Sequence, residues 1–273
     1  MKRVSILLFG VVVYAVFFAT FLYLIAFVGN LQVALDQWLP VLSALVPHSI
    51  DAGGAQEGPV VAAIIDLALI LCFGLQHSVM ARTGFKAWLK RHLPESAERS
   101  VYVLLASLML MLMFWQWRPI AGYVWAADSV AGQAIGWTVF ALGFGLVLLS
   151  TFLIDHFDLF GLKQVLRQFL GRPAAKANFV TPFLYKLVRH PLYLGFILAF
   201  WGGPDMSAGH LLFAASMSAY ILIAIRFEER DLVRQLGERY VAYRERVPML
   251  VPGTSPRGGA KSDAGGLTCA EAR

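Results

Sequence analysis

Several stretches of the sequence carry side chains whose types and spacing could do chemistry together. Arg189-His190-Pro191-Leu192-Tyr193, with Gly195 one turn on, offers a guanidinium, an imidazole and a phenol around a proline. That proline lacks an amide donor and pushes His190 out of the α region. Backbone groups freed there are tolerated at membrane depth only when buried in protein or lining a cavity. With Arg189, His190 and Tyr193 beside them they suit a polar cofactor, and Gly195 lets a ligand or another chain approach. Arg226-Phe227-Glu228-Glu229-Arg230 supplies paired carboxylates, with Arg226 three residues before Glu229 and so on the same helical face. His77, and His156 within Asp155-His156-Phe157-Asp158, add imidazoles able to exchange a proton near neutral pH.

The elements that must position these groups are membrane spans. Of 273 residues, 58% are hydrophobic and only 15% charged, against about 25% charged in a soluble domain. That composition excludes a disordered chain and a soluble enzyme. A helix needs about 20 apolar residues to cross a bilayer, and four runs qualify: Val4 to Val28, Gly58 to Met80, Ser100 to Trp117 and Gly132 to Ile154. The first is too long for a signal peptide and reads as an anchor. A fifth apolar region is broken by Gly202-Gly203-Pro204-Asp205 into a hairpin, Leu192–Trp201 and Ser207–Ile225. The reading is an all-α integral membrane protein with four clear transmembrane helices plus a C-terminal helical hairpin.

Charge fixes the orientation. Sorted by these spans, 22 of the 23 Lys and Arg residues fall on one side, with Arg118 alone on the other. By the positive-inside rule both termini are cytoplasmic, and a multi-pass bacterial inner-membrane protein is expected. The formal charge of +6 therefore marks topology, and no soluble basic domain is left to bind nucleic acid. His77, His156, Arg189, His190, Arg226 and the two glutamates all arrive at the cytoplasmic boundary. Asp36, His48, Asp51, Glu57, Asp128, Asp205 and His210 are scattered over the outer side. Asp66 lies within its span, on the His77 face but roughly 16 Å away, and is open to a structural or a functional role.

Apolar positions from Leu232 to Val247 line one face of an amphipathic cytoplasmic helix running from Arg226 to Val247. Residues 1–252 form one membrane domain, and 253–273, rich in Gly, Ser and Ala, a disordered tail. Cys72 and Cys269 are too few for a disulfide framework or a thiolate metal site, and no metal is expected. Trp115, Trp117, Trp125 and Trp137 read as interfacial belt residues. Nothing here sets the oligomeric state.

The motif Arg189-His190-Pro191-x-Tyr193-x-Gly195, followed by a span and Glu228-Glu229, resembles the isoprenylcysteine carboxyl methyltransferase-like superfamily of integral-membrane enzymes. Within it the chain is most similar to the NnrU and methanethiol S-methyltransferase branch, through Gln76-His77-Ser78-Val79-Met80-Ala81, His156 to Gln164, and Gly237 to Leu250. The resemblance implies S-adenosylmethionine held between the motif and the paired glutamates, with Asn178 to Tyr185 forming the approach. It implies methylation of methanethiol, a small volatile thiol arriving through membrane lipid, to dimethyl sulfide.

On that basis Arg189, His190, Leu192, Tyr193, Gly195 and Tyr185, with the free backbone around Pro191, hold the cofactor. Glu228 or Glu229 receives its ammonium or ribose hydroxyls, and Arg226 orients Glu229 or stabilises the thiolate. His77 is the first choice for the base and His156 the second. Another thiol or a lipid acceptor is one alternative. A membrane haem or electron-transfer protein using His77, His156 and His190 is the other.

Overall fold

The uncharged run from Val4 to Val28 has no polar face, and it becomes one helix, α1 (Lys2–Val28). The computed structural model describes residues 2–32, 35, 39–173 and 181–254. Among these, α1 is followed by a single-turn α2 (Pro40–Ser43), α3 (Pro59–Ala81), α4 (Thr83–His92) and α5 (Glu95–Gln116). Then come α6 (Val130–Ile154), α7 (His156–Leu159), α8 (Leu162–Phe169), α9 (Pro191–Trp201), α10 (Ala208–Leu236) and α11 (Glu238–Arg246). Helices α1, α3, α5, α6 and α10 are long and apolar enough to cross a membrane. The protein is an all-α integral, multi-pass membrane protein. Its small β component pairs β1 (Tyr123–Ala126) with β2 (Asp205–Ser207), antiparallel, and ties the turn of the hairpin to the α5–α6 connection.

In the bundle α6 lies along α9, α9 beside α10, α10 beside α3, α3 beside α5, and α5 beside α1. The α6–α9 seam is built from small residues. A Cβ at Gly195 would stand 2.8 Å from both the Gly143 carbonyl oxygen and the Val147 amide nitrogen, so the two backbones fill that space themselves. The close approach expected at Gly195 is therefore that of α6 and not of a ligand, as small residues allow in membrane helix packing. α8 docks likewise, with Val165 seated on Gly10 of α1.

Of the C-terminal elements, the first arm is as short as its sequence run and the second is longer than expected. The first arm of the hairpin, α9, has eleven residues and spans about 16 Å, well short of a bilayer core of about 30 Å. The second arm does not end at Ile225: α10 runs unbroken to Leu236. The expected Arg226–Val247 helix is thus the end of α10 plus α11, divided at Gly237, whose φ of +57° suits glycine. Its apolar face is as expected, with Leu232, Val233 and Leu236 packed against Tyr240, Tyr243 and Val247.

At the end opposite the basic residues, Phe27, Phe114, Trp117, Phe200 and Phe213 share one core. Trp117 is 1% exposed and its Nε1 donates to the Ile50 carbonyl at 3.0 Å, so it is not a belt residue. The polar groups at this end are not all scattered. Asp51 accepts from Asn30 and Ser207, Ser49 donates to Asn30, and the Ser207 hydroxyl receives the His210 amide at 3.0 Å. Asp66 is fully buried and its Oδ1 accepts the Arg118 amide at 2.9 Å, which pins α3 to the end of α5.

Gly195→Ala should lower the stability of the detergent-solubilised protein by roughly 1–3 kcal/mol, the usual effect of overpacking a tight seam. Thermal unfolding measures this. An unchanged midpoint would show that the α6–α9 contact is not so close.

Candidate functional site

The site lies at the basic end of the bundle, where α3, α5, α9 and α10 meet. It begins with Pro191, which sits in the first turn of α9, where its missing amide leaves no helical bond unmade. The amides of Arg189 and His190 are not free. They donate to the carbonyls of Pro248 and Met249 at 2.9 and 3.2 Å, and the His190 carbonyl accepts the Leu194 amide at 3.0 Å. The backbone expected to hold a cofactor therefore holds the segment after α11.

The Arg189 side chain completes this clamp. Its Nε donates to Glu229 Oε1 at 2.7 Å, and its Nη1 donates to the carbonyls of Arg244 and Val247 at 2.8 and 2.6 Å. His190 Nε2 stands 3.1 Å from the same Glu229 oxygen. Glu229 is 9% exposed, and a buried carboxylate needs such partners. Arg189, not Arg226, orients it. Arg226 is exposed and forms no ion pair with either glutamate among the described residues, because Glu229 is turned inward toward the start of α9.

Glu228 points elsewhere. Its Oε2 accepts the Tyr193 hydroxyl at 2.8 Å. Tyr102, Tyr185 and Tyr193 each interact electrostatically with it, and Tyr220 acts on Tyr102 and Tyr193. Burial, and then the nearby Glu228 charge, hold the Tyr185 phenol well above the usual range for tyrosine. Leu192 adds a half-buried apolar side chain. Phe73 and Tyr220 form an edge contact at 6.1 Å, and the Tyr220 ring rests on Gly74, where a Cβ would come within 3.0 Å of it.

His77 reaches these phenols from α3. Its Nε2 is 2.7 Å from the Tyr102 hydroxyl, and Phe73 stacks on its ring at 5.4 Å. Its Nδ1 is buried and has no hydrogen-bond partner among the described residues. His156 is placed differently. Tyr14 and Thr151 hydroxyls contact its Nε2 and Nδ1, both at 2.8 Å, and Phe152 stacks on it at 4.3 Å. Both ring nitrogens are used in joining α1 to α6, so the second choice for a base is not brought to the site. The three histidines occupy separate environments, and no cluster of potential metal ligands forms among the described residues.

Sequence reasoning missed Tyr102 and Tyr220. Their signal was a phenol inside an apolar span, at the depth where Arg99 and His77 also fall. Residues 178–180 of the expected approach lie outside the described residues.

The description "NnrU protein" belongs to the family profile that matches residues 66–227, from within α3 to the Phe227 that precedes Glu228. The chain belongs to the NnrU family. Among its relatives in this family, the methanethiol S-methyltransferase of Crocosphaera subtropica is 48% identical over 92% of this chain and 93% of its own. Methanethiol S-methyltransferase 2 of Bradyrhizobium diazoefficiens is 50% identical over 92% and 91%. The chain is also similar to Nurim of Xenopus laevis, 30% identical over 66% of each. No solved structure matches this NnrU-family chain.

The clamp should be structural. Glu229→Leu strands the Arg189 guanidinium, whose side chain is 8% exposed; removing one partner of a buried pair costs about 3–5 kcal/mol. Thermal unfolding should register that loss, whereas Arg226→Ala should leave the midpoint unchanged. His156 supplies a pH test. Burial lowers its affinity for a proton below the ordinary value, so the unfolded chain binds more protons than the folded one just below about pH 6.5. Stability contributed by neutral His156 is then present above that pH and lost as the pH falls. His156→Asn should reduce the decline in melting temperature between about pH 6.5 and 5; an identical decline would remove His156 as its source.

Proposed function

We propose that this protein methylates methanethiol to dimethyl sulfide, with S-adenosylmethionine as the methyl donor, at the cytoplasmic face of a bacterial inner membrane. The observation that carries the reading is the buried Nδ1 of His77, which has no hydrogen-bond partner among the described residues, on a ring held by Tyr102, the phenol on which the Glu228 charge acts. Relatives named methanethiol S-methyltransferase, similar over almost the whole chain, support the acceptor. The one-sided distribution of Lys and Arg supports the orientation.

The residues present fit the donor. A sulfonium with an ammonium group suits a carboxylate among aromatic faces, and among the described residues Glu228 is held through the Tyr193 hydroxyl. Glu228, and not the clamped Glu229, would receive the ammonium or ribose hydroxyls, with Tyr185 and Tyr193 beside it. Arg189 and His190 act at one remove, by fixing Glu229 and the segment after Val247. When bound, S-adenosylmethionine supplies a methyl carbon made electrophilic by its sulfonium.

The acceptor must be a thiolate, and an ordinary thiol ionises near 8.5. His77, whose Nδ1 has no hydrogen-bond partner among the described residues, is the group we assign to take that proton. Excluding water and holding both reactants in line would lower the barrier to displacement. Arg99, with its guanidinium 5.6 Å from the Tyr102 ring centroid, and Arg82, paired with Asp231 at 3.4 Å, put cations at the rim. A small apolar thiol can reach the site through the lipid.

The purified full chain, given methanethiol and S-adenosylmethionine, should release dimethyl sulfide into the headspace, and none when the donor is omitted. No dimethyl sulfide from folded protein, or methylation of a lipid amine instead, would overturn the reading. His77→Ala should lower turnover about 100-fold or more, within the range for a proton-transfer group. Full turnover would remove His77 as the base.

A further inference from the structure

Tyr102 and His77 form a half-buried pair between α5 and α3, and the mechanism above leaves Tyr102 without a role. We propose that Tyr102 is a positioning residue for the transfer: it accepts the Nε2–H of His77 and so holds the tautomer whose Nδ1 lone pair takes the thiol proton. The inference rests on the methyltransferase reading and deepens it.

A neutral imidazole carries one N–H, on either nitrogen. At Nδ1 that hydrogen would be a buried donor without an acceptor among the described residues, an arrangement proteins avoid. At Nε2 it meets the Tyr102 oxygen at 2.7 Å, and the phenol hydrogen can then rotate about its C–O bond away from the imidazole, a freedom that a hydrogen fixed on Nδ1 lacks. The bare nitrogen is then Nδ1, and it is the one without a protein partner. The ring cannot easily turn over, because Phe73 stacks on it at 5.4 Å and the Tyr102 ring lies 5.0 Å away. The imidazole thus has one nitrogen anchored and the other unspent. His156 shows the contrast, with both nitrogens anchored.

The groups acting on the pair are few. Arg99, from α5, acts electrostatically on both His77 and Tyr102, and Glu228 and Tyr220, from α10, act on Tyr102. The Tyr102 hydroxyl contacts His77 and lies in the field of Glu228, so it can pass the effect of the carboxylate to the imidazole as positive charge develops there. In the step itself the S–H bond breaks and its proton bonds to Nδ1. The electron pair left on sulfur forms the new bond to the methyl carbon. The carbon–sulfonium bond breaks with its pair remaining on the donor sulfur. His77, now an imidazolium donating from Nε2 to Tyr102, returns its proton to water as product leaves.

The test uses the full chain in detergent, Tyr102→Phe and His77→Gln. Tyr102→Phe should lower kcat for methanethiol at pH 7 by about ten-fold or more, since it weakens a proton-transfer group usually worth about 10²–10⁴, with KM within about two-fold. The deficit of both variants should shrink toward pH 10, where solvent supplies the thiolate. The second readout needs no turnover. In protein labelled with ¹⁵N-histidine and free of donor, the His77 signals, assigned by their loss in His77→Gln, should show a protonated Nε2 and a bare Nδ1. A protonated Nδ1 in the unsubstituted protein overturns the proposal, as does Tyr102→Phe turnover within about two-fold of it, or a deficit that does not change with pH. If Tyr102→Phe does not fold, the spectrum of the unsubstituted protein decides. If that protein makes no dimethyl sulfide, the methyltransferase reading fails, and the spectrum still reports the tautomer separately.

Discussion

Glu229 sets what the rest of the site can do. A carboxylate buried where a membrane helix reaches the edge of the bundle must be neutralised. Arg189 and His190 do this from the residues just before α9. The same arginine grips the carbonyls of Arg244 and Val247, so a single guanidinium joins the end of α10, the start of α9 and the chain after α11. Once these groups are spent on each other, the polar atoms left for chemistry are few. Among the described residues, Glu228, the phenols around it and the Nδ1 of His77 are groups that this clamp does not use.

The division of labour follows from helix geometry. Glu228 and Glu229 are adjacent in sequence, and successive residues of an α-helix point about 100° apart. One therefore faces the clamp and the other the phenol-lined space. Tyr193 reaches Glu228 from the first turn of α9, while His190, three residues earlier, serves Glu229. The motif thus both builds the site and contributes to it. Its proline starts a helix, its glycine admits the α6 backbone, and its tyrosine touches the carboxylate that is still available.

The long spans were legible because lipid demands long uncharged runs. That α9 is too short to cross was visible as a short run before a Gly-Gly-Pro turn. The continuity of α10 through the charged stretch at Arg226 was not, because charge ends a span without ending a helix. Gly237 gave the only local signal of where the helix stops. The partners of Glu229 could be guessed to type and not to identity: Arg226 stood nearer in sequence, and Arg189 won because it lies on the inward side. Tyr102 was illegible for the same reason, since its partner is 25 positions away on another helix. Trp117 looked like a belt residue by position, and packing buried it instead.

Whether the methyl donor is held where Glu228, Tyr185 and Tyr193 meet is tested most directly by titrating S-adenosylhomocysteine into the purified full chain and into Glu228→Gln. The account predicts binding by the unsubstituted protein, weakened about ten-fold or more in the variant, a loss of about 1.4 kcal/mol, with an unchanged melting temperature before ligand is added. Equal affinity in the two proteins would contradict it.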